Sequence, residues 1–112
     1  MVGHSGKLEA AIKAVEAVDG GLAQIYQALK ARFDDAAWLI TADHGNAETM
    51  LDETTHQAHT AHTLNVVPLL YVGRKAKISD GGALQDVAPT LLRMMGLPQP
   101  PEMTGRPLIS FV

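Results

Sequence analysis

A short apolar run, Ala36 to Thr41 (AAWLIT), stops abruptly at Asp43-His44-Gly45. That break constrains the chain more than any other feature. An apolar segment of this length that ends sharply reads as a buried strand. Gly45 allows a turn that a β-branched residue would not accept. In open α/β sheets, ligands bind at the carboxyl ends of strands. An aspartate and a histidine are therefore expected where such a fold places its chemistry.

The flanking segments fix the fold class. From Lys7 to about Arg32 the residues Leu8, Ile12, Val15, Val18, Leu22, Ile25 and Leu29 recur at spacings of three and four. That stripe predicts a helix covering a core, with Ser5 as a fair N-cap. Gly20-Gly21 interrupts it at about 1 kcal/mol each relative to Ala, so the helix is expected to run through, bend or break there. Phe33-Asp34-Asp35 is a loop. Val66 to Val72 (VVPLLYV) predicts a second strand, with Pro68 at an edge or bulge because it lacks an N–H. Ala76 to Ser79 is a candidate third strand.

Asp86 is expected to cap a last helix with Pro89 in its first turn. Leu91, Leu92, Met95 and Leu97 are expected to line its face, and Gly96 to close it. The two methionines Met94 and Met95 read as core filler. The order helix, strand, loop, strand, short strand, helix defines an α/β fold with a small helix-flanked sheet.

At 112 residues the chain suits one small domain, burying roughly 65% of its unfolded surface. A net charge of −3 gives no electrostatic footprint for nucleic acid. Without cysteine there are no disulfides and no thiolate metal sites, which fits a reducing compartment. The opening MVGHSGKLEA lacks a signal peptide's apolar region, and Val66 to Val72 is too short to span a bilayer.

Four of the five histidines, His44, His56, His59 and His62, fall between Leu39 and Thr63. Imidazole and carboxylate are good ligands for first-row divalent ions. Spacing alone leaves two readings open: a metal site, or a solvated polar loop in which an aspartate holds a histidine tautomer. His56 by itself fits the solvated loop. The long segment from Asn46 to His62 is too polar for core, and Thr60 and Thr63 can anchor it by side-chain hydrogen bonds. No serine lies in a strand-turn-helix elbow, and no phosphate-cradling loop is present.

Several blocks, in order, carry a resemblance: MVGHSG, TADHGNAE, HTAHT, NVVPLLYVG and GALQDVAPTLLRMMGLPQPPEMTGRPLI. Together they resemble the C-terminal part of cofactor-independent phosphoglycerate mutases, of the alkaline phosphatase-like superfamily. The resemblance covers essentially the whole chain. It implies that residues 1–112 form one partial domain, the C-terminal portion of the phosphatase domain. It also implies a cytoplasmic glycolytic isomerase interconverting 3-phosphoglycerate and 2-phosphoglycerate. Two divalent ions and a phosphoserine intermediate serve that reaction, the ions being manganese first, with magnesium, cobalt or zinc as alternatives.

By the same resemblance, Asp43 and His44 are ligands of one ion, and His4 and His62 of the other. His59 is expected to support the site or anchor its loop. The family's nucleophilic serine, its remaining aspartate ligands and its substrate-gripping domain have no counterpart in this sequence, so no catalytic residue is assigned. The isolated chain is expected to be inactive and to bind metal weakly at most. The missing strands are expected to leave sheet edges through which it self-associates. A stand-alone metal- or partner-binding domain, or a piece of a related phosphopentomutase or phosphatase, is the alternative.

Overall fold

A computed structural model describes residues 7–45 and 64–112. The expected N-cap Ser5, the lead-in with His4 and the loop with His56, His59 and His62 lie outside the described residues. The chain divides into two compact units. One comprises Met1–Asp34 with Ala42–Pro68, and the other Asp35–Thr41 with Leu69–Val112.

The first unit is built on α1, Leu8–Arg32, a continuous helix of 25 residues. Lys7 occupies the N-cap position in extended conformation and makes no side-chain cap bond. Its carbonyl accepts the first helical bond, from the Ala11 N–H at 3.0 Å. Glu9 in the first turn and Lys30 and Arg32 in the last complement the helix dipole. The helix neither stops nor breaks at Gly20-Gly21. The space around both glycines is open, so they cost backbone entropy and cause no clash.

The expectation that the α1 stripe covers a core needs correction. Ala11 is the one buried residue of this helix. Leu8, Ile12, Val15, Val18 and Ile25 are all exposed, and Leu22 and Leu29 are half-buried. The periodicity is that of a core helix, but among the described residues most of the stripe has no cover.

The second unit holds two small antiparallel pairs. Strand β1, Trp38–Thr41, pairs with β2, Leu69–Val72, in a register that sets Trp38 opposite Val72 and Thr41 opposite Leu69. Strand β1 is half-buried, not fully buried as its composition suggested. A two-stranded ribbon has no further strand to shield it, and Leu70 and Val72 of β2 are exposed. Pro68 forms neither bulge nor edge position: the ladder begins one residue later, so its missing N–H costs nothing there.

Strand β3, Ala76–Ile78, pairs with β4, Ile109–Phe111. The apolar tail thus docks as a strand beside β3. Tyr71 and Phe111 meet edge to face, their ring centroids 6.4 Å apart. The Arg74 guanidinium sits 3.8 Å from the Phe111 ring centroid.

A single 3₁₀ turn, Leu84–Asp86, leads into α2, Val87–Met94. Asp86 does not cap α2 in the expected way. It makes no forward side-chain bond to α2. Its Oδ2 instead accepts the Ala83 N–H at 2.8 Å, and its Oδ1 accepts the Arg106 N–H at 2.8 Å. The buried face of α2 accordingly starts at Asp86 and continues through Pro89 and Thr90, against a core that includes Leu108 and Ile109. Leu92 and Met94 are half-buried, whereas Leu91, Met95 and Leu97 are exposed. Gly96 ends α2 as expected, at φ +70°. Its N–H reaches the Arg93 carbonyl at 3.1 Å and the Leu97 N–H reaches that of Leu92 at 2.9 Å, the paired bonds of a Schellman motif.

Candidate metal centre

Strand β1 runs out at Thr41, and the chain continues through Ala42 to Asp43 and His44. Leaving the ladder frees the backbone to turn both side chains outward, and Gly45 follows immediately, buried. The Asp43 side chain is 86% exposed and that of His44 37% exposed. Both groups are reachable from solvent.

The imidazole is oriented by its neighbour. His44 Nδ1 lies 3.0 Å from the carbonyl oxygen of Gly45. A carbonyl only accepts, so Nδ1 is the nitrogen that carries the proton and donates. In the neutral ring the lone pair is then on Nε2. That nitrogen lies 3.7 Å from Asp43 Oδ1.

This donor pair fits a divalent cation. Metal-ligating histidines commonly donate their other N–H to a backbone carbonyl, which fixes tautomer and ring orientation. Two ligands each about 2.1 Å from one ion stand roughly 3.0 Å apart at an octahedral angle and roughly 3.4 Å apart at a tetrahedral one. A small rotation of the exposed Asp43 side chain closes the difference from the observed separation.

Among the described residues no third histidine, aspartate or glutamate joins the pair. The structure therefore brings Asp43 and His44 together. The other expected ligands, His4 and His62, lie outside the described residues, as do His56 and His59. The described serines keep structural positions. Ser110 lies in β4 opposite Lys77, and the Ser79 N–H donates to the Leu108 carbonyl at 2.8 Å.

The sequence reading missed one buried polar cluster, Asp86 with Thr90. Thr90 is fully buried. Its hydroxyl donates to the Asp86 carbonyl at 2.6 Å and accepts the Leu108 N–H at 2.9 Å. The Asp86 carboxyl is held below its ordinary value, first by the Arg106 N–H, then by the Ala83 N–H, against the opposing effect of burial. Asp86 and Thr90 bond to backbone groups of Ala83, Arg106 and Leu108, so the cluster ties loops together. An Asp followed four residues later by Thr is the trace it leaves in sequence, too common a pattern to single out.

An oriented Asp-His pair just past a strand end can supply part of a divalent-metal site. The chain belongs to the metalloenzyme superfamily, whose family pattern matches residues 1–99. Membership implies a dependence on divalent metal.

Its relatives are more specific. The chain is 62% identical over 112 residues to a 2,3-bisphosphoglycerate-independent phosphoglycerate mutase of Thiobacillus denitrificans, a match covering 99% of this chain and 21% of that protein. It is 60% identical over 109 residues to the enzyme of the same name from Aeromonas salmonicida, covering 97% of this chain and 21% of the relative. The corresponding protein of Pseudoalteromonas atlantica is 55% identical over 112 residues, covering 100% and 22%. The matched region is the C-terminal one. The chain thus spans about a fifth of the length of these relatives.

Proposed function

We propose that this chain is the C-terminal part of the phosphatase domain of a phosphoglycerate mutase that interconverts 3-phosphoglycerate and 2-phosphoglycerate. Residues 1–112 form a partial domain in this reading. The His44 ring, held by the Gly45 carbonyl with Nε2 3.7 Å from Asp43, supports its metal chemistry. The observation that carries the reading is identity near 60% to mutases along nearly the whole chain.

Asp43 and His44 hold one divalent ion, and His4 and His62 contribute to a second. Manganese is the favoured ion, as the resemblance to the mutase family implies; carboxylate and imidazole together also accept other first-row divalent ions. Bound divalent ions neutralise a transferring phosphoryl group and lower the pKa of a hydroxyl nucleophile. The Gly45 carbonyl keeps the His44 proton on Nδ1, so that Nε2 stays available as a ligand. The exposed Asp43 carboxylate supplies negative charge beside it. Four residues of this chain give each ion two protein ligands, fewer than a closed site uses. The nucleophile and remaining ligands come from the rest of the mutase fold, and the isolated chain is inactive.

A cytoplasmic location accords with a glycolytic substrate and with a chain without cysteine. Among the described residues no helix is long and apolar enough to cross a membrane.

The test is a chimera in which this chain replaces the matching fifth of the Thiobacillus denitrificans relative. It is expected to interconvert the two phosphoglycerates in the presence of manganese. Asp43→Ala and His62→Ala are each expected to lower kcat by more than about a hundredfold, beyond the usual effect of altering a group behind a ligand. An inactive but folded chimera overturns the mutase reading. A fully active Asp43→Ala chimera overturns the assignment of Asp43 as a ligand.

A further inference from the structure

The sequence contains Asp-Gly-Gly twice, at Asp19-Gly20-Gly21 and Asp80-Gly81-Gly82, and it contains no Asn-Gly. An aspartate before glycine is prone to one spontaneous reaction. The backbone nitrogen of the glycine attacks Cγ of the aspartic acid. The amide proton and the carboxyl hydroxyl leave as water, and a cyclic imide closes. Water then reopens the ring at either carbonyl. Opening at Cγ restores aspartate. Opening at the main-chain carbonyl gives isoaspartate: the chain now runs through Cβ, and the former main-chain carbonyl is a free carboxylate. Glycine favours the attack because it has no Cβ to crowd its nitrogen. A nitrogen whose N–H is held in a helix cannot make the approach.

The two copies lie in opposite settings. Gly20 is inside α1, a continuous helix from Leu8 to Arg32. Within such a helix its N–H donates to the carbonyl four residues back. Attack there requires the helix to open first. Gly81 lies between β3 and the 3₁₀ turn that leads into α2, at φ +73°. Among the described residues nothing accepts the Gly81 N–H. No atom lies within 4 Å of the position a Cβ would take there. The contacts that hold this turn spare the reacting atoms. The Ser79 N–H donates to the Leu108 carbonyl at 2.8 Å, the Arg106 guanidinium donates to the Asp80 carbonyl at 3.2 Å, and Gly82 packs against the Leu108 side chain. All of these residues belong to the second unit.

We propose that Asp80 is a site of spontaneous isoaspartate formation in the folded chain, and that α1 protects Asp19 in the same tripeptide. Water is the only co-reactant. The new carboxylate arises at the carbonyl that Arg106 holds, so an ion pair replaces a bond to a neutral acceptor. The main chain gains a methylene between Ser79 and Gly82, in the turn that Leu108 anchors. This chemistry needs no metal and no substrate, so it stands or falls separately from the mutase reading.

The purified chain is kept for several weeks at neutral pH, once in buffer and once in urea, and then cut with trypsin. Asp19 falls in the peptide Ala14–Lys30 and Asp80 in Ile78–Arg93. Electron-transfer fragmentation locates isoaspartate in each. In buffer, isoaspartate is expected to form at Asp80 at least about tenfold faster than at Asp19, because helix opening limits the second site. In urea the two rates are expected to agree within about threefold, since neither site keeps its fold. Equal rates in buffer, or no isoaspartate at Asp80, overturn the proposal. So does an Asp80 preference as large in urea as in buffer, which would assign it to neighbouring side chains and not to α1.

Discussion

The backbone N–H of Arg106 donates to Oδ1 of Asp86 at 2.8 Å, joining residues twenty positions apart. The other carboxylate oxygen takes the Ala83 N–H. One buried side chain thus fixes the entry to α2 and the return of the tail toward β4. The Arg106 guanidinium adds a bond to the Asp80 carbonyl at 3.2 Å.

Acid should loosen this clamp. The Asp86 carboxyl is depressed in the folded chain, mainly by the Arg106 and Ala83 N–H groups. A depressed carboxylate stabilises the fold fully above its unfolded value of about 3.9 and loses that contribution as pH falls through the lower folded value. Stability followed by fluorescence of Trp38, the single tryptophan, should therefore drop below about pH 4. Asp86→Asn should be less stable at neutral pH and show a shallower acid limb. An unchanged acid limb in that variant would contradict the assignment.

Thr90 should be sensitive to the loss of its hydroxyl and tolerant of the loss of its methyl. Thr90→Val keeps the shape but strands the buried Leu108 N–H, at about 1–3 kcal/mol. Thr90→Ser keeps both hydrogen bonds and should cost about 1 kcal/mol or less. Urea unfolding of both variants orders them. A Ser variant as unstable as the Val variant would show that packing, not bonding, makes Thr90 matter.

The glycines should split by position. Gly20→Ala and Gly21→Ala meet open space inside α1 and should each stabilise the helix by about 0.5–1 kcal/mol. A methyl group at Gly105 would collide with the Gln85 carbonyl, a backbone atom that cannot swing aside. Gly105→Ala should therefore destabilise the second unit. Thermal melts of the three variants give the signs directly, and a stabilised Gly105→Ala chain would refute the close approach.

Elements set by local patterns were readable before the structure. The helical stripe, the three strands at Trp38, Leu69 and Ala76, and the Gly96 stop all follow from spacing and turn chemistry within a few residues. The Asp43-His44 pair was readable too, because adjacent residues need no tertiary information to be neighbours. Asp86 does stand at the N-cap position of α2, but its side chain bonds the Ala83 and Arg106 N–H groups instead of the helix, and no local signal marks an N–H twenty residues away. Burial was over-read along α1 and at Leu91, Met95 and Leu97. Apolar periodicity reports that a face is meant to be covered, not whether the cover belongs to the same 112 residues.

The most direct test counts metal. In the chimera with the Thiobacillus denitrificans relative, manganese bound per folded chain is measured after dialysis, with intact residues and with two double variants. The account predicts two ions in the parent. It predicts loss of one in Asp43→Ala/His44→Ala and loss of the other in His4→Ala/His62→Ala, with the fold unchanged by circular dichroism. Retention of both ions in either double variant would contradict the assignment of those residues as ligands.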